Sequence, residues 1–355
     1  AKPREAHARR LGGLVLRDNK AVPLLDTSTW LDVRVVPDGA RHRTARPDCP
    51  RPPQGAPLLQ PNPRVAALVP TACGPPPILP LHQELHQQWR SYGGFTFAFR
   101  DYMEAGILPL IDTPTFAKIM EVVDPASYWA RLARLPKMVV LSSDDEFMQF
   151  DWSGLWWDDL PGEKLLLIPP DSEHSLATGI PEVLSTTAAF FVDLVTNVAR
   201  PSLEFTRNAT TGELIVTLPE GRAHGKVVLR HAQTLQSDRR DFRWVKLADN
   251  TTAPDTNCKL PGVKIPPVEG GGNCVQPIVW TGKTLSADAT NPRVYRATPP
   301  APTRAGHWVG YYVEVFFPSQ LAHSEYQVNT PGFVWPDAFP HKDCEDFATC
   351  PPKLL

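Results

Sequence analysis

The run Met138-Val-Val-Leu-Ser-Ser-Asp-Asp-Glu-Phe147 joins a short apolar segment directly to an acidic one. A second run of this kind, Lys164-Leu-Leu-Leu-Ile168, leads into Pro169-Pro-Asp-Ser-Glu-His174. Short apolar runs are typical of buried parallel strands. Open α/β sheets place their functional residues just past the carboxyl ends of such strands. The spacing therefore predicts two neighbouring strands whose following loops carry Asp145 and His174.

Helical patterns surround these two strands. The apolar run Val65-Ala-Ala-Leu-Val69, which ends at Pro70, predicts a further buried strand. Helix-start signals and apolar spacing predict helices over 82–91, 97–105, from Asp112 onward, 124–133 and 180–199. Because strands alternating with helices are typical of a parallel sheet, the region 65–200 is predicted to be an α/β domain.

The pattern changes after Arg200-Pro201, where short β-type runs separated by turn residues replace the helices. The runs are 213–218, 226–230, 242–246, 278–281 and 308–317. In the last of these, one face is more apolar than the other, as in a β-sandwich of immunoglobulin-like size. We therefore expect an irregular Pro- and Arg-rich arm over 1–64, the α/β domain over 65–200, a β-sandwich over 201–343 and a tail over 344–355.

Composition restricts the class of protein. The chain of 355 residues has a formal net charge of -2, which argues against a nucleic-acid-binding protein, and no apolar run is long enough to span a membrane. Six cysteines lie in loop-like surroundings, which suggests the disulfides Cys258–Cys274 and Cys344–Cys350 and leaves Cys49–Cys73 as the third pair. Disulfides form in the secretory pathway, and the glycosylation sequons at Asn208 and Asn250 fit that route. We expect an extracellular protein.

The pair Asp145 and His174 has the chain order of the acid and base in a hydrolase triad. In such a triad the carboxylate holds the imidazole in one tautomer, and the other ring nitrogen takes the proton of the nucleophile. The alternative is a solvated loop histidine beside a helix cap. No G-x-S-x-G motif occurs in the chain. Ser91 or Ser143 could approach His174, although nothing in the sequence marks either as activated.

Three other groups of residues could form binding sites, but each has a simpler interpretation. A calcium site at Asp144, Asp145, Glu146 and Asp151 does not match the spacing of a known loop. The aromatic cluster of Trp152, Trp156 and Trp157 with Phe147 and Phe150 is interpreted as core or lid rather than as a carbohydrate platform. His82 and His86 flank Glu84 at metal-binding spacing on one helix, but no HExxH is present, so a plain helix surface is favoured. No metal and no cofactor are expected.

Several motifs in order resemble the PhoPQ-activated pathogenicity-related protein family. They include His86-Gln-Gln-Trp-Arg-Ser-Tyr-Gly-Gly94, Phe97-Ala-Phe-Arg-Asp-Tyr102, Asp145-Glu-Phe147, Leu160-Pro-Gly162, Arg240-Asp-Phe-Arg243 and Tyr312-Val-Glu-Val-Phe-Phe-Pro318. The resemblance implies an α/β-hydrolase-like fold, similar to serine peptidases of the prolyl oligopeptidase type. It also implies that Asp145 and His174 match the acid and base of that fold.

The family resemblance also implies a serine elbow of the G-x-S-K-R-G type directly before the strand at 65–69. Here that position reads Pro53-Gln-Gly-Ala-Pro-Leu-Leu-Gln-Pro-Asn-Pro-Arg64, with no Ser, Thr or Cys. We therefore expect a partial hydrolase-like sheet in a catalytically inactive signalling or assembly protein. The alternative is an active serine hydrolase with an unrecognised nucleophile. A partial sheet exposes an edge strand, which we expect residues 1–64, a second copy or a partner protein to cover.

Overall fold

The computed structural model describes residues 22–26, 30–34, 65–71, 80–247, 273–321, 324–348, 350 and 353–355. It is a mixed α/β structure with one sheet that contains three parallel strands and with separate antiparallel sheets. In the described parts of the chain, no helix has the length and apolar character required to cross a membrane.

The first sheet has the strand order β1-β2-β3-β4-β5. Its strands are β1 (Val22–Asp26), β2 (Trp30–Arg34), β3 (Val65–Pro70), β4 (Lys137–Val140) and β5 (Lys164–Leu167). The three parallel strands β3, β4 and β5 are those that the apolar runs predict.

A hairpin from the predicted arm occupies the free edge of β3, since β1 and β2 pair antiparallel and β2 pairs antiparallel with β3. The irregular arm predicted over 1–64 therefore contains two strands, β1 and β2. The strand β1 carries Pro23, which argues against a central strand, and edge strands are where proline is tolerated. The edge of β3 is covered from within this chain.

Each predicted helical region contains a helix, and α5 (Ser153–Trp156) is a further helix that the sequence did not indicate. The other helices are α1 (Pro80–Tyr92), α2 (Arg100–Glu104), α3 (Pro114–Val123), α4 (Trp129–Leu132) and α6 (Ile180–Val195). Short 3₁₀ turns at Phe97–Phe99 and Pro125–Tyr128 precede α2 and α4 and replace the first halves of two predicted helices. Helix α6 stops four residues early because Asn197 adopts the left-handed conformation, with φ +54, that ends helices.

The described residues after 200 form ten strands. They are β6 (Glu204–Arg207), β7 (Leu214–Thr217), β8 (Val227–Gln233), β9 (Val245–Leu247), β10 (Asn273–Val275), β11 (Thr281–Thr284), β12 (Val294–Ala297), β13 (Val309–Pro318), β14 (Glu325–Asn329) and β15 (Phe333–Trp335). One antiparallel sheet has the order β11-β8-β13-β14, with β15 also paired to β13, and a second has the order β12-β7-β6. Strands β9 and β10 form a separate ladder.

Strand β13 differs from its sequence pattern, because every residue from Val309 to Phe317 is buried. Tyr311 and Val313 share a cluster with Leu214 and Val216 of the facing sheet. On the other side, Tyr312 packs in a second cluster with β4 and β5 residues. The less apolar face of this strand is therefore covered by the first part of the chain.

The two predicted domains share their hydrophobic cores. One cluster contains Met138 and Leu165 together with Val315 and Val328, so it crosses residue 200. At the junction, the backbone N–H of Ile168 donates to Asn329 Oδ1 at 2.9 Å, and the Tyr312 hydroxyl donates to the Ile168 carbonyl at 3.0 Å. These contacts join β5 to the antiparallel sheet, while the boundary near residue 200 stays a prediction.

The C-terminal segment returns to the helical side of the first sheet. Cys344 and Cys350 form the expected disulfide. Phe347, inside the loop that this bond closes, packs with Phe95, and the backbone N–H of Leu355 donates to the Phe95 carbonyl at 2.9 Å. The predicted tail is thus packed against the region around α1.

Candidate functional site

The loops after β4 and β5 meet at one edge of the first sheet. The strands are parallel and in register, with Val140 opposite Leu167, so both chains leave the sheet at the same level. The backbone N–H of Asp144 donates to the Ser172 carbonyl at 2.9 Å and fixes the two loops to each other. This local topology brings Asp145 and His174 together, as the sequence predicts.

Asp145 is a buried carboxylate with hydrogen bonds on both oxygens. Its Oδ1 accepts from the backbone N–H groups of Phe147 at 2.7 Å and Met148 at 2.8 Å, and its Oδ2 accepts from Ser142 Oγ at 2.8 Å. His174 Nδ1 lies 3.0 Å from Oδ1 and 3.1 Å from Oδ2. Because these donors are fixed by the loop itself, the carboxylate is held in one orientation before the imidazole contacts it.

His174 combines a buried anchor with an accessible tip. Its side chain is 42% exposed whereas that of Asp145 is 1% exposed, and its ring stacks on Phe147 with centroids 5.5 Å apart. Burial lowers the pKa of His174, but the hydrogen bond to Asp145 and the negative charges of Asp145, Glu146 and Glu173 outweigh it, so the pKa is raised. Since Nδ1 is held by Asp145, Nε2 is the ring nitrogen available to a ligand.

Glu146 supports the pair from the backbone side. Its Oε2 accepts from the backbone N–H of His174 at 3.0 Å. Burial raises its pKa to about 7, even though this hydrogen bond lowers it. Within the described residues, its Oε1 accepts no hydrogen bond. Glu146 therefore positions the histidine loop and changes charge near neutral pH.

The four carboxylates considered for calcium are directed to separate partners. Asp144 Oδ1 accepts from Trp280 Nε1 at 2.9 Å, and burial raises the pKa of Asp144 well above its usual range. Asp151 Oδ2 pairs with Arg240 Nη2 at 2.6 Å. Together with the contacts of Asp145 and Glu146 given above, this arrangement does not gather the four as ligands of one cation within the described residues.

In the described part of the chain, neither candidate serine forms a hydrogen bond with the His174 ring. Ser143 Oγ donates to Asp144 Oδ2 at 2.7 Å. Ser91 is completely buried, and its hydroxyl has no hydrogen-bond partner among the described residues. Among the residues that the structure describes, no side-chain hydroxyl forms a hydrogen bond with the His174 ring.

An apolar pocket of about 380 Å³ adjoins the pair through Phe147. Its apolar lining includes Phe99, Ile107, Leu108, Phe116, Met120 and Phe147. Glu84 and Asp124 are buried polar groups in this wall, and burial followed by the charge of Asp124 raises the pKa of Glu84 well above its usual range. The sequence carries no signal for this pocket, because α1, α3, the segment between α2 and α3 and the Phe147 loop contribute to it together.

The tryptophans after Asp145 belong to the core, in agreement with the favoured interpretation. Trp152 and Trp156 are each 1% exposed, and Trp157 is 9% exposed. Trp156 and Trp157 pack with Val139 and Leu141 of the β4 segment. Their packing stabilises the end of β4, from which the Asp145 loop continues.

The remaining sequence-predicted sites are only partly described. Asn208 is exposed on the turn between β6 and β7, where its Oδ1 accepts from the backbone N–H groups of Thr210 and Thr211. The other sequon, at Asn250, lies outside the described residues. The same holds for the residues or side chains of four cysteines, which are Cys49, Cys73, Cys258 and Cys274. Those pairings therefore stay predictions.

The chain is a mixed α/β protein. It belongs to the PhoPQ-activated pathogenicity-related protein family, whose model matches residues 59–243. This range contains Asp145, His174 and the pocket beside them. The chain is also 28% identical over 300 residues to autocrine proliferation repressor protein A of Dictyostelium discoideum. The alignment covers 81% of this chain and 55% of that relative, so the chain spans about half the length of the relative. No solved structure matches significantly.

Proposed function

We propose that this chain is a secreted, extracellular binding protein with hydrolase ancestry, and that it holds a partner at the apolar pocket beside His174 without hydrolysing it. In this proposal the first sheet derives from an α/β-hydrolase fold, and the antiparallel sheets form an immunoglobulin-like sandwich. The observation that carries it is the contact of Phe147 with both the His174 ring and the pocket.

The acid–base pair supports the ancestry. A buried carboxylate on Nδ1 of a half-exposed imidazole is the arrangement that holds a histidine ready to take a proton at Nε2. The chain has no G-x-S-x-G motif, and a pair without a nucleophile and oxyanion donors lacks the largest contributions to catalysis. The pair then serves as a polar rim of the binding pocket.

Secretion and signalling are part of the same proposal. The disulfide Cys344–Cys350 fits an oxidising compartment, where such bonds form and persist. The Asn208 sequon lies on an exposed turn that can accept a glycan. The name of the relative, autocrine proliferation repressor protein A, describes a signal, and we extend an extracellular signalling or assembly role to this chain.

The pocket is tested with the fluorescent apolar ligand 1-anilinonaphthalene-8-sulfonate. Met120→Trp places a large side chain in the pocket, so we expect probe binding to the folded protein to be lost. Val122→Trp is the matched control, because Val122 lies on the same helix but is 69% exposed and outside the pocket lining. Equal binding to both variants would contradict a binding pocket at this place.

An active serine hydrolase is the second candidate, and the Asp145–His174 geometry favours it. A fluorophosphonate probe discriminates the two. Our proposal expects no labelling of the folded protein. Labelling that disappears in His174→Ala and persists in His231→Gln, a histidine on β8, would replace our proposal with the hydrolase.

A further inference from the structure

A second group of polar residues lies on the helical side of the first sheet, where α1 meets the C-terminal segment. His82 and His86 are four residues apart on α1 and therefore share one face of the helix. Their ring centroids lie 4.5 Å apart. Asp112, in the loop before α3, reaches the same point: its Oδ1 lies 2.7 Å from His82 Nε2 and 2.9 Å from His86 Nε2.

We propose that His82, His86 and Asp112 bind a divalent transition-metal ion of the zinc type. Two imidazole nitrogens and one carboxylate oxygen converge within 4.8 Å of one another. Zinc binds such atoms at about 2.0–2.2 Å, so tetrahedral ligands lie about 3.4 Å apart. The contacts of Asp112 with the two histidines, now 2.7 and 2.9 Å, need to open by about 0.5–0.7 Å to admit the ion.

Asp343 gives the group a feature that three converging side chains alone do not have. Its Oδ1 lies 2.8 Å from His86 Nδ1, the ring nitrogen that faces away from Asp112. A carboxylate on the far nitrogen of a ligating histidine fixes the tautomer that presents the other nitrogen to the metal. Without an ion, both His86 contacts are hydrogen bonds only when both ring nitrogens carry hydrogen. With an ion, a neutral His86 ring donates from Nδ1 to Asp343 and binds the metal through Nε2.

The surroundings hold the ligands in place and leave a route to solvent. The backbone N–H of Phe347 donates to Asp112 Oδ2 at 2.9 Å, and the Phe347 ring packs on His86 at 4.6 Å. His82 is 44% exposed, and a cleft of about 390 Å³ is lined by both His82 and Asp112. An ion can therefore enter from this cleft and keep a water at its open position.

The consequence is structural. Asp343 and Phe347 lie on either side of Cys344 in the C-terminal segment, while the proposed ligands lie on α1 and the loop before α3. A bound ion would thus join the disulfide-closed loop to the first part of the chain. Because a metal that binds only the folded state stabilises it by mass action, zinc should raise the melting temperature.

The test is calorimetric titration of zinc into the purified full chain after removal of metal with EDTA. We expect one zinc per chain and no comparable binding of Mg²⁺, which prefers oxygen ligands. His82→Gln and His86→Gln should each weaken zinc binding at least roughly tenfold, and Asp343→Asn should weaken it roughly 10- to 100-fold, as expected for an orienting partner. His231→Gln is the matched control and should bind as the unaltered chain does.

His82→Gln is the deciding variant, because its half-exposed ring can be replaced with little effect on packing. Zinc binding that is equal in this variant and in the unaltered chain would overturn the proposal, as would the absence of zinc binding by the unaltered chain. Unchanged affinity in Asp343→Asn would remove the orienting role. The melting temperature without metal, measured for each variant, separates a lost ligand from a damaged fold.

Discussion

The guanidinium of Arg240 lies 2.6 Å from the carboxylate of Asp151, and both side chains are about 5% exposed or less. Asp151 follows the acidic loop of the first predicted domain, while Arg240 belongs to the second. Gln87 of α1 donates to the same Asp151 oxygen at 3.0 Å. This buried ion pair therefore connects three separate segments of the chain, which are α1, the segment at Asp151 and the segment at Arg240.

The first prediction concerns this ion pair. Arg240→Ala leaves Asp151 as a buried charge without its partner, a change that typically costs about 3–5 kcal/mol. We expect a loss of that size in the free energy of unfolding, measured by urea denaturation. Arg296→Ala is the control, because Arg296 is 52% exposed and its ion pairs should contribute less than about 1 kcal/mol. Similar losses in the two variants would contradict a special role for the buried pair.

The second prediction concerns two glycines with the same backbone conformation. Gly162 has φ +78 and Gly221 has φ +71. A Cβ at Gly162 would lie 2.0 Å from the Ala133 carbonyl oxygen, whereas a Cβ at Gly221 would meet nothing within 4 Å. Gly221→Ala should cost about 1 kcal/mol of backbone strain. Gly162→Ala adds the clash and should cost roughly 2–5 kcal/mol.

The comparison of these two glycine variants is a test in itself, because the strain is shared and only the clash differs. Urea denaturation of both proteins measures the difference. If Gly162→Ala is no less stable than Gly221→Ala, the turn before β5 can shift away from Ala133, and the tight packing of that turn is not required.

Some of this arrangement can be predicted from the sequence. An apolar run followed at once by acidic residues predicts both β4 and the loop of Asp145, because strand and loop are local features. The same holds for β5 and His174. Their contact follows from one further assumption, that consecutive parallel strands are neighbours in the sheet.

Other features depend on contacts between distant segments, and no local pattern reveals them. Asp112 approaches His82 and His86 only because the loop before α3 folds against α1. Strand β11 was placed wrongly, over 278–281, because it is exposed along its whole length and has no apolar alternation. The buried Glu84 was interpreted only as a neighbour of two histidines, since its burial depends on α3 and on the Phe147 loop.

The third prediction is a decrease in stability as the pH rises. Burial raises the pKa of Glu146 from its ordinary value near 4.5 to about 7. Between these values the folded chain keeps a proton that the unfolded chain has released, so the free energy of unfolding falls as the pH rises through this window. Asp124, with a pKa raised to about 7 by burial, acts in the same direction. Denaturation at pH 5 and pH 7.5 should show the decrease.

Glu146→Gln should remove part of that decrease, because the amide does not titrate and can still accept from the backbone of His174. Glu220→Gln is the control, since Glu220 is exposed on the turn between β7 and β8. A decrease with pH that is the same in Glu146→Gln and in the unaltered protein would show that Glu146 is not responsible.

The fourth prediction concerns the charge of His174. The hydrogen bond and charge of Asp145 raise the pKa of His174 against the opposing effect of burial. Asp145→Asn can keep the backbone hydrogen bonds but removes the negative charge, so we expect the pKa of His174 to fall, as measured by the pH dependence of its ring NMR signals. Glu173→Gln removes a nearby charge that does not contact the ring, and its effect should be smaller. Equal decreases in the two variants would mean that the general negative charge of the loop, and not the Asp145–His174 contact, sets the protonation of the histidine.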